Sequence, residues 1–292
     1  MDEQGSKHDD RRIVGPWRRP KNLSADAAGS IHDEGTATAL GLRGGTVAGN
    51  IHMDQLPPLL VEAFGAGWFE TGSMSLYFRH ATTDLEEVQA WVERPVDGAL
   101  QVACGMTART GEVVCEGTAS VGAPSEPTAL EARDKRSVDP STLRILRDLH
   151  EGQHLPGRTM IADGAGQRRR LAAGVVTEPL DWYDGSSPWG GPVASPLTVV
   201  DLLYSAPLHP LRDRVGEAVG LFGAIEIRFH GAPVLLDEAY EVDGEIVAIS
   251  DSPQTEVLWY DARAVDQSGA LVATLRMMNR FFKASSPRYA EG

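Results

Sequence analysis

The sequence predicts an α+β protein made of two diverged copies of one module, each an antiparallel sheet around a helix. Three observations carry this expectation. A glycine-rich phrase before an apolar stretch occurs twice, as Gly44-Gly45-Thr46-Val47-Ala48-Gly49 ahead of residues 51–64 and as Gly190-Gly191-Pro192-Val193-Ala194-Ser195 ahead of residues 197–203. Each phrase is followed by period-two alternation, which marks half-buried strands: Met74, Leu76 and Phe78 in one copy, Ile225, Ile227 and Phe229 in the other. Each copy then closes on a hairpin, and an internal repeat of this length points to duplication.

Taken in order, residues 1–23 are polar and carry Gly15-Pro16 and Arg19-Pro20, the pattern of a surface arm. Residues 24–122 form the first module. Its hairpin runs through Leu100, Val102, Cys104 and Met106, turns at Thr110-Gly111, and returns through Val113, Cys115, Gly117, Ala119 and Val121. Residues 123–174 read as a connector rich in Pro, Gly and charge. It holds one expected helix, with Asp139 as cap, Pro140 at the first position, and Leu143, Leu146 and Leu149 on its apolar face. Residues 175–285 form the second module, closing on a strand at 257–265, a Gln267-Ser268-Gly269 turn, and Leu271, Ala273, Leu275 and Met277 on one face. Two such sheets paired edge to edge remove exposed edges, giving the arrangement called a double hotdog fold.

Composition narrows the function. The chain has 292 residues, 42% of them apolar, enough to bury a sizeable core. Its 27 Lys and Arg against 41 Asp and Glu give a net charge of −14, which argues against nucleic acid or an anionic membrane as the main partner. The short run Arg168-Arg169-Arg170 reads as a solvated loop rather than a phosphate clamp. Cys104 and Cys115 lie in alternating apolar segments and read as buried free thiols. No apolar stretch is long enough to span a bilayer, and the charged start is unlike a signal peptide, so a cytoplasmic location is the default expectation. The eight His are scattered without metal-ligand spacing, and Gly44-Gly45 lacks the dinucleotide-binding pattern, so neither a metal nor a redox cofactor is expected.

The most informative stretch is Ser30-Ile31-His32-Asp33-Glu34, followed by Leu40-Gly41-Leu42-Arg43 and the first glycine-rich phrase. It resembles the MaoC-like, or R-specific enoyl-CoA hydratase, pattern, in which an Asn-Pro-hydrophobe-His segment leads without gaps into a glycine-rich turn and the central helix. The resemblance is tight from Gly29 to Leu59 and loose over both modules. It implies that His32 is the catalytic His and that Val47, Ala48 and Gly49 form the turn into the helix. The family's Asp, five residues before the His, has no counterpart: Ala27 stands there, Gly29 and Ser30 replace the Asn and Pro, and Asp26 is one residue off. In the second copy Glu178 stands twelve residues before Gly190 and no His lies near, so only one half is expected to hold an active centre.

A glycine pair lets backbone approach a ligand closely, and the following helix aims free N–H groups and its positive dipole end at the turn. A thioester carbonyl suits such a place. The residues expected to hold it are Gly44, Gly45, Thr46, Val47, Ala48, Gly49 and Asn50, whose amides would stabilise an enolate-like oxyanion while His32 handles the proton or water. The candidate acid/base residues are His32, Asp26, His52 and Asp54. His32 and Asp54 also have plainer readings: His32 as a turn hydrogen-bonder, and Asp54, which with His52 would form a polar acid/base pair facing a ligand tunnel, as the cap of a helix starting near Gln55 ahead of Pro57-Pro58. Asp201, in an otherwise apolar helix, is a carboxylate costly to bury unless paired, so it is either on the solvent face or functional. Trp182, Tyr183 and Trp189 read as core more readily than as pocket wall, and Asp181 and Asp184 as turn formers.

The leading expectation is a MaoC-like hydro-lyase acting on an enoyl or 3-hydroxyacyl thioester, a small-molecule partner, with a homodimer left open. Three alternatives stand beside it: an acyl-CoA thioesterase using Asp54, a related lyase or isomerase on a substrate not carried by coenzyme A, and a non-catalytic ligand-binding protein.

Overall fold

The computed structural model describes residues 11–290. Among the described residues, ten strands form one antiparallel sheet: β1 (Arg12–Arg18), β2 (Gly72–Phe78), β3 (Val88–Glu93), β4 (Gln101–Ala108), β5 (Val113–Val121), β6 (His154–Ile161), β7 (Gly220–Phe229), β8 (Ala239–Asp251), β9 (Thr255–Val265) and β10 (Leu271–Phe282). Their spatial order is β1-β3-β4-β5-β2-β7-β10-β9-β8-β6. The two halves of the chain thus contribute five strands each, joined where Ser73–Tyr77 of β2 pairs with Arg228–Ala224 of β7. Edge-to-edge pairing removes one edge from each half, as the duplicated pattern predicts.

Seven helices among the same residues accompany the sheet: α1 (Glu34–Ala39), α2 (Gly49–Met53), α3 (Pro57–Phe64), α4 (Trp68–Thr71), α5 (Gly164–Ala172), α6 (Pro196–Val215) and α7 (Pro287–Ala290). The two central helices differ. In the second half α6 runs unbroken for 20 residues. In the first half the equivalent stretch is split into α2 and α3, because Pro57-Pro58 supplies no amide hydrogens and can only open a new first turn. The apolar core is continuous across both halves, from Leu60, Trp68 and Leu76 to Val199, Leu203, Ile227 and Leu258.

The repeat is real, but its register is one residue later than the glycine pairs suggest. Thr46 bridges Thr83 in the first half where Val193 bridges Leu235 in the second. Ala48 caps α2 where Ser195 caps α6. Asp54 is therefore the counterpart of Asp201, Asn50 of Leu197, and His52 of Val199.

Three expectations are corrected. Part of the surface arm, residues 12–18, is the edge strand β1, with a register shift between Val14 and Trp17 that absorbs Gly15-Pro16; an edge is where a strand tolerates proline. Residues 1–10 lie outside the described residues. The connector helix is a single 3-10 turn at Pro140–Thr142. Leu143, Leu146 and Leu149 are buried as expected, but the backbone amides of Arg144, Ile145 and Leu146 donate to the buried Glu256 carboxylate, which takes donors a helix would have used. The connector instead contributes β6 and α5, and Arg168-Arg169-Arg170 lies in α5 rather than in a loop. Cys104 and Cys115 are free and buried.

Candidate functional site

Beyond Tyr77 and Ala224 the two central strands part, and the gap opens a cleft of about 690 Å³. It draws on both halves: His32, the turn Thr46–Gly49, His52 and residues 78–82 from the first, and Tyr204, Arg212, residues 220–223 and residues 279–282 from the second.

The His32 segment is clamped to the glycine turn. The Thr46 amide donates to the Ile31 carbonyl at 2.9 Å, Gly45 N–H donates to Glu34 Oε2 at 2.9 Å, and Asn22 Nδ2 donates to the His32 carbonyl at 2.8 Å. Gly45 is required here, since a Cβ would lie 2.4 Å from the His32 oxygen. Asp33 fixes the next residues by accepting the Thr36 amide at 2.9 Å as the cap of α1. His32 Nδ1 lies 2.7 Å from the Thr46 carbonyl. A carbonyl only accepts, so Nδ1 carries the hydrogen, and in the neutral ring Nε2 is the basic nitrogen.

Amides of the turn divide into two groups. Those of Gly45, Thr46 and Val47 are committed to Glu34, Ile31 and Thr82. Those of Ala48 and Gly49 meet no acceptor among the described residues, and Ala48 caps α2 without a side-chain bond. Gly49 packs against Phe78 so closely that a Cβ would sit 2.8 Å from the ring. Two unpaired amides at a helix start, walled by an aromatic ring, suit an oxygen that gains negative charge.

His52 is 2% exposed and its Nε2 lies 2.7 Å from Thr82 Oγ1, while its Nδ1 has no partner among the described residues. Burial drives its pKa from the ordinary 6.5 down to about 4, against a small opposing pull from Glu86, so the ring is neutral near pH 7.

The remaining expected site residues lie elsewhere. Gly44, Gly45 and Asn50 do not line the cleft. Asn50 Nδ2 instead donates to Asp201 Oδ1 at 3.1 Å. Asp26 is exposed on the 24–30 turn and does not replace the missing carboxylate at Ala27. Asp54 is not the cap of the helix that follows it, whose N-cap residue is Leu56, and it does not reach the cleft. It is 1% exposed, and it accepts the Leu197 amide at 2.8 Å and the Ser195 hydroxyl at 3.0 Å, capping α6 of the other half. Burial raises its pKa to about 7, those two hydrogen bonds opposing. Asp201 is both paired and half-exposed, with Arg170 Nη1 at 3.4 Å. Trp182 and Tyr183 pack edge-on and Trp189 packs tilted against Phe69, and all three belong to the core or pack against it. Glu178 is held by Arg18.

Among the described residues no Asp or Glu lines the cleft, whereas Arg79, Arg212, Arg280, His32, His52 and His80 do. In a chain of net charge −14 this is a local reversal of sign. Sequence reasoning missed Thr82, which lies in an irregular loop, and Asn279. The second was within reach, because the alternation Ala273, Leu275, Met277 continues to Asn279.

No family model and no curated protein sequence matches the chain. Among solved structures it is similar to a MaoC-like dehydratase at 15% identity and a TM-score of 0.54, with 93% of this chain and 98% of that chain covered. It is similar to a MaoC domain protein of Chloroflexus aurantiacus at 14% identity and a TM-score of 0.60, covering 93% and 94%. It is also similar to RV0216, a protein of Mycobacterium tuberculosis with a double hotdog fold, at 16% identity and a TM-score of 0.58, covering 94% and 98%. The chain therefore has the double hotdog fold that the repeat and the alternation predict. Among the described residues no helix is long and apolar enough to cross a membrane.

Proposed function

We propose that the protein is a hydro-lyase that adds water to, or removes it from, a double bond conjugated to a thioester, with His32 as general acid and base. The observation that carries this is the bond between His32 Nδ1 and the Thr46 carbonyl, which leaves Nε2 basic in a ring lining the same cleft as the free amides of Ala48 and Gly49. In the hydration direction Nε2 takes a proton from water as the oxygen bonds to C3 of the enoyl group. The thioester oxygen gathers the charge and is held by the Ala48 and Gly49 amides, and the proton then passes from Nε2 to C2. One imidazole serves both transfers, which fits a cleft lined by no carboxylate among the described residues. Thr82, whose hydroxyl is tied to the neutral His52, supplies the second hydrogen-bonding group for the water. The fold shared with MaoC-like dehydratases supports the reading.

Hydrolysis by Asp54 loses support, because that carboxylate is buried under α6. The deciding measurement is hydration of crotonyl-CoA and longer enoyl-CoA esters, followed by loss of the conjugated absorbance, with thiol release recorded in parallel. Native turnover should fall by about 10²- to 10⁴-fold in His32→Ala. Thiol release without hydration would replace the reading with a thioesterase, and a folded protein silent in both channels would exclude both.

A further inference from the structure

Asn279 is a polar residue in an apolar row. Along β10 the side chains facing the helices are Ala273, Leu275, Met277 and Phe281, all part of the main core, and Asn279 takes the place between the last two. Its neighbours across the sheet are Leu258 on β9 and Phe222 on β7. It is 3% exposed, it lines the cleft, and its Oδ1 has no hydrogen-bond partner among the described residues. The register of β7 against β10 shifts at this point, with Gly223 opposite the shift. A buried amide oxygen without a donor is a standing cost unless a ligand supplies one.

We infer that Asn279 is a specificity residue that hydrogen-bonds a hydroxyl group on the acyl portion of the substrate, so that the cleft selects a hydroxylated acyl chain over a plain alkyl chain. A hydroxyl both donates and accepts, so it pairs with the Asn279 amide in either orientation of the oxygen and nitrogen. Among the described residues nothing bonds to its Oδ1, and the residues opposite it in the sheet, Leu258 and Phe222, are apolar. The second half of the molecule thereby reads the acyl group while the first half holds the reacting carbons. This rests on the reading of the cleft as a thioester site.

The test is equilibrium binding, which needs no turnover. Hexanoyl-CoA is compared by calorimetry with its 4-hydroxy, 5-hydroxy and 6-hydroxy derivatives. At least one derivative should bind about tenfold or more tightly than hexanoyl-CoA. The ratio should fall to about one in Asn279→Leu, and in Asn279→Ala should the leucine variant fail to fold. Equal binding of all four esters, or a preference that survives substitution, overturns the inference alone. Absence of binding by any of them overturns it together with the thioester reading. A hydroxyl preference without turnover of the matching enoyl esters overturns the hydro-lyase reading and leaves this inference standing.

Discussion

The two glycine-rich turns have the same backbone job and opposite endings. In the second half the amides from Val193 to Leu197 are engaged: Val193 with the Trp182 carbonyl, Ala194 with Val234, Ser195 with Gln167 Oε1 and Leu197 with Asp54 Oδ1, while Pro196 has none to offer. In the first half the amides of Ala48 and Gly49 remain open to a cleft. Val199 also stands where the first half has His52. Duplication supplied two helix starts of similar polarity. One became a structural joint between the halves, and the other stayed unpaired where a ligand can reach it. Unpaired donors mark a site more sharply than the glycine pattern does, because both halves carry the pattern.

The strongest way to break this contrast is to close the open turn. Gly49→Ala places a methyl group 2.8 Å from the Phe78 ring and forces the turn or the ring to move. Turnover of a competent enoyl thioester should fall about a hundredfold, in the range for removing an oxyanion donor. Phe78→Leu added to Gly49→Ala should restore part of the rate, by making room for the methyl. Steady-state kinetics of the two single variants and the double variant check this, and strict additivity would reject it.

Next in size is the difference between the paired acids. Asp54 and Asp201 occupy equivalent positions, but Asp54 caps a buried helix start and Asp201 is half-exposed beside Arg170. Asp54→Ala leaves the Leu197 amide and the Ser195 hydroxyl without acceptors in a dry interior. It should cost about 2 kcal/mol, against less than about 1 kcal/mol for Asp201→Ala, measured by urea unfolding. Equal losses would remove the distinction between joint and surface.

The same pair shows what could be read from sequence. The alternation along Met74 to Phe78 and along Ile225 to Phe229 located the two strands that join the halves, since inward and outward neighbours differ at each step. The His32 to Gly49 spacing located one wall of the cleft. Asp54 was legible only as an acid/base candidate or a local cap near Gln55, because nothing in the chain announces that Leu197, far away in sequence, lacks an acceptor. Asp26 and Asn50 failed for the same reason: nearness along the chain did not bring them to the cleft. β1 was hidden by Gly15-Pro16, which reads as a breaker until the bulge that absorbs it is known. The connector helix was lost to Glu256, a competitor for its amides that lies in another strand.

The smallest expected effect is a near cancellation of two opposite slopes. Burial raises Asp54 to about 7, so the folded state holds a proton that the unfolded chain releases above its ordinary 3.8, and stability falls as pH rises through that window. Burial lowers His52 to about 4, so the unfolded chain binds a proton below 6.5 that the folded state refuses, and stability falls as pH drops toward 4. Between about 4 and 6.5 the two contributions have opposite signs and similar size, each tenfold change in proton affinity being worth about 1.4 kcal/mol. These two contributions should nearly cancel in the native chain, whose remaining slope comes from other groups such as Asp201, which burial raises to about 6. Asp54→Asn keeps an oxygen acceptor for the Leu197 amide but removes the titration, so its stability should climb from pH 4.5 to 6.5 relative to the native protein. His52→Gln should show the reverse, losing stability over the same range relative to native. Urea midpoints at four pH values across that window decide it. Parallel curves for all three proteins would mean that neither group titrates out of its usual range, and the Asp54 joint would then be an ionised cap.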